Sequence, residues 1–192
     1  MGKIDYTVQI VRSDRKTMAL EITASGKVLV RAPYTMPEWR IHEFVQEKEA
    51  WIQHHLPKKM ADGEMLEELG QFTEEEIDKM IQLAKSIIPQ KVAYYARMMQ
   101  VTYGRISIRR QKTRWGSCSR TGNLNFNCLL MMAPAYVLDY VIVHELSHRL
   151  EMNHSARFWR EVEKVLPDYR QARTWLREYG NQIMLRMHGC EE

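Results

Sequence analysis

The stretch Val141-Ile142-Val143-His144-Glu145-Leu146-Ser147-His148 combines residue types and spacing that can do chemistry. Two histidines four apart on a helix lie about 40° apart around its axis and one turn along it, so both imidazoles reach a single ion about 2.0–2.1 Å from each nitrogen. Glu145 stands about 100° round from His144, away from the ion but beside an open coordination position, where a carboxylate takes a proton from water. With 7 His and 18 Glu in 192 residues, such a pattern arises by chance about 0.02 times, which makes it a candidate zinc site with Glu145 as general base. Val143, Leu146 and Leu150 form the apolar face that pins the helix to a core.

Catalytic zinc takes three protein ligands and leaves one position for water. His154, separated from His148 by five residues, is the leading third ligand. On an unbroken helix it would point about 240° away, so the helix must end first. Asn153 tolerates the left-handed conformation that ends helices, and Ser155 then caps the next one, whose Phe158, Trp159, Val162 and Val165 form a buried stripe. Glu151 is the alternative, seven residues after His144 and on the same helical face.

These side chains need a frame. Residues 4 to 32 alternate as half-buried strands around Tyr6, Val8 and Ile10, then Met18, Leu20 and Ile22, then Val28, Val30 and Ala32, which reads as a small antiparallel meander. From Pro37 the apolar period becomes helical and stops by Pro57. Residues 58–72 read as a linker, so the expected organisation is an N-terminal unit over 1–57 and a metal domain over 73–192. Thr73 and Glu76 make a capping box for a helix that Pro89 should kink or divide, with its end near Gly104. Strands are expected around Ile106–Ile108 and Leu124–Cys128, and after Pro134 everything is helical: to about Leu150, from Ser155 to Leu166, and from Asp168 to Met187. The fold class is α+β.

Beside the site, the basic run Arg109-Arg110-Gln111-Lys112-Thr113-Arg114 is either a solvated hairpin or a source of cations for substrate carboxylate or phosphate, with Arg114 favoured because it adjoins Trp115-Gly116. The Leu124–Cys128 strand offers an edge for an extended peptide, and Asn125 and Asn127 are either supports for the site or polar surface. Trp159, Trp175 and Tyr179 follow core spacing. Cys118, Cys128 and Cys190 lack the close partners of a structural zinc site and read as free thiols, and His42, His54, His55 and His188 as surface residues. The composition, 45% hydrophobic and 27% charged, is that of an ordinary globular protein, and a net charge of +4 is too small to argue for nucleic acid. No apolar run reaches the roughly 20 residues that span a bilayer, no secretory signal is visible, and a reduced, cytoplasmic location is expected.

Five blocks of sequence resemble the YgjP-like metallopeptidase family, which is similar to the SprT-like and WLM zinc peptidases of zincin type. They are Ser13-Asp14-Arg15-Lys16-Thr17-Met18, Arg114-Trp115-Gly116-Ser117-Cys118-Ser119, Gly122-Asn123-Leu124-Asn125-Phe126-Asn127, Tyr140 to His148, and Asn153-His154-Ser155-Ala156-Arg157-Phe158-Trp159. The resemblance spans nearly the whole chain. It implies a zincin-like core holding one Zn²⁺ on His144, His148 and His154, with Glu145 as general acid and base acting on a zinc-activated water, and a peptide or protein substrate. A metal-dependent hydrolase of nucleotide phosphoanhydrides is the alternative, since the same chemistry attacks small anionic substrates. A metal-stabilised binding module without catalysis is the second alternative.

Overall fold

The computed structural model describes residues 4–23 and 25–187. Their contacts divide into two units, one ending at Leu69 and the other beginning at Gly70.

The first unit contains β1 (Val8–Ser13), β2 (Ala19–Ile22), β3 (Val28–Pro33), α1 (Glu38–Glu47) and α2 (Glu49–Leu69). The three strands lie where the alternation predicts them, but they are not an antiparallel meander. β3 is central, antiparallel to β2 and parallel to β1, with Val8 opposite Val28 and Ile10 opposite Val30. Alternation reports which face of a strand is apolar and carries no information on the direction of its partner, so the antiparallel expectation is corrected here. Val28, Val30, Ala32, Ile41, Ile52 and Leu56 form this unit's core.

The helix also does not stop at Pro57. It continues to Leu69, with Pro57 inside, so the expected 58–72 linker is helical over most of its length. Lys58 to Leu69 is rich in Lys, Met, Ala, Glu and Leu, whose helix propensities outweigh the single lost N–H donor and the glycine cost at Gly63. Gly70, at φ +70°, takes the left-handed position that closes a helix.

The second unit comprises α3 (Glu74–Met99), β4 (Ile106–Arg109), β5 (Gly116–Cys118), β6 (Leu124–Asn127), a 3₁₀ turn (Cys128–Met132), α4 (Ala135–Ser147), α5 (Ala156–Val165) and α6 (Tyr169–Leu185). The capping box at Thr73 and Glu76 is formed in both directions, at 2.8 and 3.2 Å. α3 passes through Pro89 undivided and ends at Gln100, which adopts φ 55°. Its length is secured by a buried stripe of Ile77, Met80, Ala84, Ile88, Val92 and Tyr95, a packing gain that offsets the proline cost.

Three strands form here, not two. β5 is only Gly-Ser-Cys, too short and too poor in β-branched residues to register as alternation. It pairs antiparallel with β6, and β4 pairs parallel with β6. β6 is therefore central, and the expectation that Leu124–Cys128 offers an edge to a peptide is corrected: β4 and β5 are the edge strands, and β5 is the one beside Glu145. Leu124, Phe126, Leu130, Val137, Val143, Leu146, Phe158 and Val162 are completely enclosed and make the core around α4. Leu150 is 46% exposed because α4 ends at Ser147. Among the described residues no helix is long and apolar enough to cross a membrane.

Candidate metal centre

α4 is buried on nearly every side, Val137 to Ser147 included, so its His144-Glu145 pair enters the interior while His148 caps its C-terminal end. The chain then turns within three residues. Arg149 N–H donates to the Leu146 carbonyl, and the Leu150 and Glu151 N–H groups donate to Ser147. No described non-glycine residue other than Gln100 has positive φ, so the left-handed role expected of Asn153 is not the one it plays. Its Oδ1 instead accepts from the Ser155 N–H at 3.3 Å, a side-chain turn of the kind short polar residues favour. Ser155 then caps α5, its Oγ accepting from the Phe158 N–H. These local bonds swing residue 154 back toward α4.

The result is a cluster in which one ligand atom from each of His144, His148 and His154 lies within 4.8 Å of the others. The His144 and His154 Nε2 atoms are 3.0 Å apart, near the roughly 3.3 Å that separates two ligands about 2.05 Å from a tetrahedral ion. The outward nitrogens have partners: His148 Nδ1 lies 3.1 Å from the Glu151 carbonyl, and His144 Nδ1 lies 3.4 Å from the Tyr140 hydroxyl. An Nδ1–H donated to the carbonyl fixes the His148 tautomer that presents a bare Nε2 to a cation. Phe158, fully buried, sits 4.6–4.8 Å from all three imidazoles, and Trp159 stacks on His154 at 5.8 Å between centroids.

Burial pushes the His144 pKa down to about 3, with the neighbouring His148 and His154 adding to the effect, and burial lowers His148 as well. Both are thus held as neutral imidazoles, the form that ligates metal. Three convergent imidazoles, two of them oriented by second partners, suit a borderline-soft divalent ion such as zinc. Glu151 is elsewhere: its carboxylate pairs with Arg157 at 3.0 Å while its carbonyl holds His148.

Glu145 is 5% exposed, and burial raises its carboxyl to about 8. It lines a cleft of 260 Å³ with His144, Arg114, Trp115, Gly116 and Leu176. A Cβ on Gly116 would stand 2.7 Å from Glu145 Oε1 and 2.9 Å from its Cγ, so the carboxylate lies directly against the backbone of the edge strand. Of the basic run, Arg114 borders this cleft, whereas Arg110 forms a two-pronged ion pair with Glu74. Asn127, wholly buried, donates from Nδ2 to the Gln111 and Arg114 carbonyls and accepts at Oδ1 from the Leu129 N–H, which holds the cleft-forming 111–115 segment. Asn125 donates to Ser117 Oγ. The supporting parts that spacing misses are Gly116, Phe158 and Trp159. Trp-Gly at a turn was the one available signal for Gly116. Cys118 and Cys128 are free thiols, and Cys190 and His188 lie outside the described residues.

The family model described as YgjP-like, metallopeptidase domain, matches residues 16–80 and 68–179. Solved structures similar to the chain include the metallopeptidase zymogen abylysin of Pyrococcus abyssi, at 22% identity, covering 48% of this chain and 95% of that one with a TM-score of 0.43. The metallopeptidase zymogen jannalysin of Methanocaldococcus jannaschii is also similar, at 21% identity, 47% and 94% coverage and a TM-score of 0.43. No curated protein matches the sequence.

Proposed function

The chain belongs to the YgjP-like metallopeptidase family, whose members are metal-dependent hydrolases, and from that premise we propose that it is a zinc peptidase that cleaves polypeptide with Glu145 as its general base and acid. The observation that carries this reading is the convergence of three imidazoles within 4.8 Å beside a buried carboxylate that opens onto a cleft.

His144, His148 and His154 would hold the ion, Tyr140 and the Glu151 carbonyl orienting the first two. A zinc ion so held supplies a Lewis acid that makes water nucleophilic near neutral pH and polarises the scissile carbonyl. The remaining steps belong to the chain itself. Glu145 accepts the proton of the attacking water and passes it to the leaving amine nitrogen. Burial raises its pKa, and a divalent charge held by the three imidazoles would draw it down and leave the carboxylate to act as a base. The outer edge of β5 presents backbone donors and acceptors to an extended substrate, and Arg114 on the cleft wall offers a cation to its carboxylates.

The test pairs two substitutions. Glu145→Gln should keep zinc at one ion per chain and lose turnover of an unfolded protein substrate by several decades, whereas His148→Ala should lose the metal. Full activity in the glutamine variant would remove Glu145 from the chemistry. Nucleoside triphosphates form the second arm, since pyrophosphate release with peptides left intact would move the site to phosphoanhydride hydrolysis.

A further inference from the structure

One side of α6 borders the cleft, and its charges are unevenly distributed. Arg170, Arg173 and Arg177, spaced by three and four residues, share one helical face and with Thr174 line a recess of 290 Å³. Two contacts place this recess next to the candidate metal centre. The Arg173 guanidinium lies over the Trp159 ring, 4.3 Å from its centroid, and the same ring stacks on His154. Leu176, three residues along from Arg173, lines the cleft with His144 and Glu145.

The three arginines are unequally compensated. Arg170 pairs with Glu163 at 2.9 Å, and Glu178 approaches Arg177 at 3.8 Å. Among the described residues no carboxylate lies within ion-pair range of Arg173. A guanidinium lying on an indole uses its face in that contact and leaves its in-plane N–H donors to an acceptor, with the bidentate geometry that suits a carboxylate. One aromatic ring separates it from the imidazoles, and an extended chain advances about 3.4 Å per residue, so a bound polypeptide reaches the recess about three residues from its scissile bond.

Resting on the peptidase reading, we infer that the Arg170–Arg173–Arg177 recess is a substrate subsite for an acidic side chain, which makes the enzyme selective for acidic segments of polypeptide. Its size suits one or two side chains. Nucleic acid is the less fitting occupant, because its binding draws on many phosphate contacts along a backbone, and here three arginines span two helical turns, with Glu163 on Arg170 and Glu178 near Arg177.

The experiment uses zinc-loaded full-length protein and internally quenched peptides of one sequence, with Glu, Gln or Lys placed in turn at the three positions on either side of the cleavage point. At one position Glu should raise kcat/KM about tenfold over Gln, the size expected of one charge-assisted bidentate contact, with Lys poorer still. Within Arg173→Gln the Glu/Gln ratio should fall to about one, and within Arg177→Glu the order should shift toward Lys. Arg177 is 75% exposed, so that variant folds. Anisotropy of the labelled Glu and Gln peptides on Glu145→Gln protein reads binding without turnover. Cleavage of all peptides at equal rates would overturn the acidic subsite and leave the peptidase reading standing. No cleavage together with Arg173-dependent binding of the Glu peptide would do the reverse. A thymidine oligonucleotide that binds more tightly than the Glu peptide, with the same arginine dependence, would overturn the subsite in favour of nucleic acid.

Discussion

At the scale of single residues, the proposed chemistry depends on where one carboxylate lies. Glu145 is pressed against Gly116, where no side chain intervenes, and keeps only a 5% exposed surface, lining the cleft. In Gly116→Ala the new methyl carbon would meet Oε1 at 2.7 Å, so either the carboxylate or strand β5 must shift. A displacement approaching 1 Å costs about 10²-fold in rate when a catalytic group is positioned by contact. The expected outcome is a kcat reduced about a hundredfold with zinc content unchanged, read by steady-state kinetics beside metal analysis. A kcat within twofold of the parent would show that the close approach does not position the base. The ligand candidates were legible from spacing because helical geometry alone brings residues i and i+4 to one ion, and because Ser155 carries its own capping signal. Gly116 and Trp159 are not: Gly116 meets Glu145 from a segment distant in sequence, while Trp159 shares its helical stripe with Val162, and periodicity does not distinguish a ring that packs on the core from one that stacks on an imidazole.

At the scale of elements, the cleft exists because α4, β5 and the 111–115 segment are tied together, and Asn127 makes the central tie. Its fully buried side chain satisfies two part-buried carbonyls and one buried N–H. Asn127→Ala leaves those groups without partners, each buried orphan costing about 1–3 kcal/mol. A loss of about 3 kcal/mol in urea unfolding is expected, accompanied by a higher KM as Arg114 and Trp115 loosen; a loss below about 1 kcal/mol would mean that the segment holds itself. Ser155→Ala should cost about 1 kcal/mol through its cap, and it should also weaken zinc affinity, because the cap aims the turn that carries His154. Helices were readable at this scale wherever caps and stripes agreed, as at Thr73 and along Ile77 to Tyr95. Strand partners were not. Both sheets place the third strand between the first two, parallel to one and antiparallel to the other, and such pairing is decided by closure of the sheet rather than by any local run of residues. Pro57 and Pro89 do not stop their helices, because neighbouring helix formers and a buried stripe outweigh one missing donor.

At the scale of the whole molecule, the described residues form three apolar clusters, one in the first unit and two in the second, and the largest cluster of each unit differs in what it holds. The first, around Val28, Val30, Ile41 and Ile52, holds none of the three clustered imidazoles; the second, around Phe126, Leu130, Val143 and Phe158, packs directly against them. A ligand stabilises only the structure that must be folded to bind it. Zinc at one hundred times its dissociation constant adds about 2.7 kcal/mol to the state that assembles His144, His148 and His154, which for a unit of this size corresponds to a rise of roughly 10 °C in its melting temperature. Calorimetry of the full chain should therefore resolve two components, of which stoichiometric zinc raises one and a chelator lowers the same one. A fragment beginning at Gly70 should reproduce the zinc-sensitive component by itself, since the capping box, the contact of Glu145 with Gly116 and all three imidazoles lie within it. If both components move together, or if the fragment shows no metal-dependent transition, the two cores are one cooperative structure and the metal secures all of it.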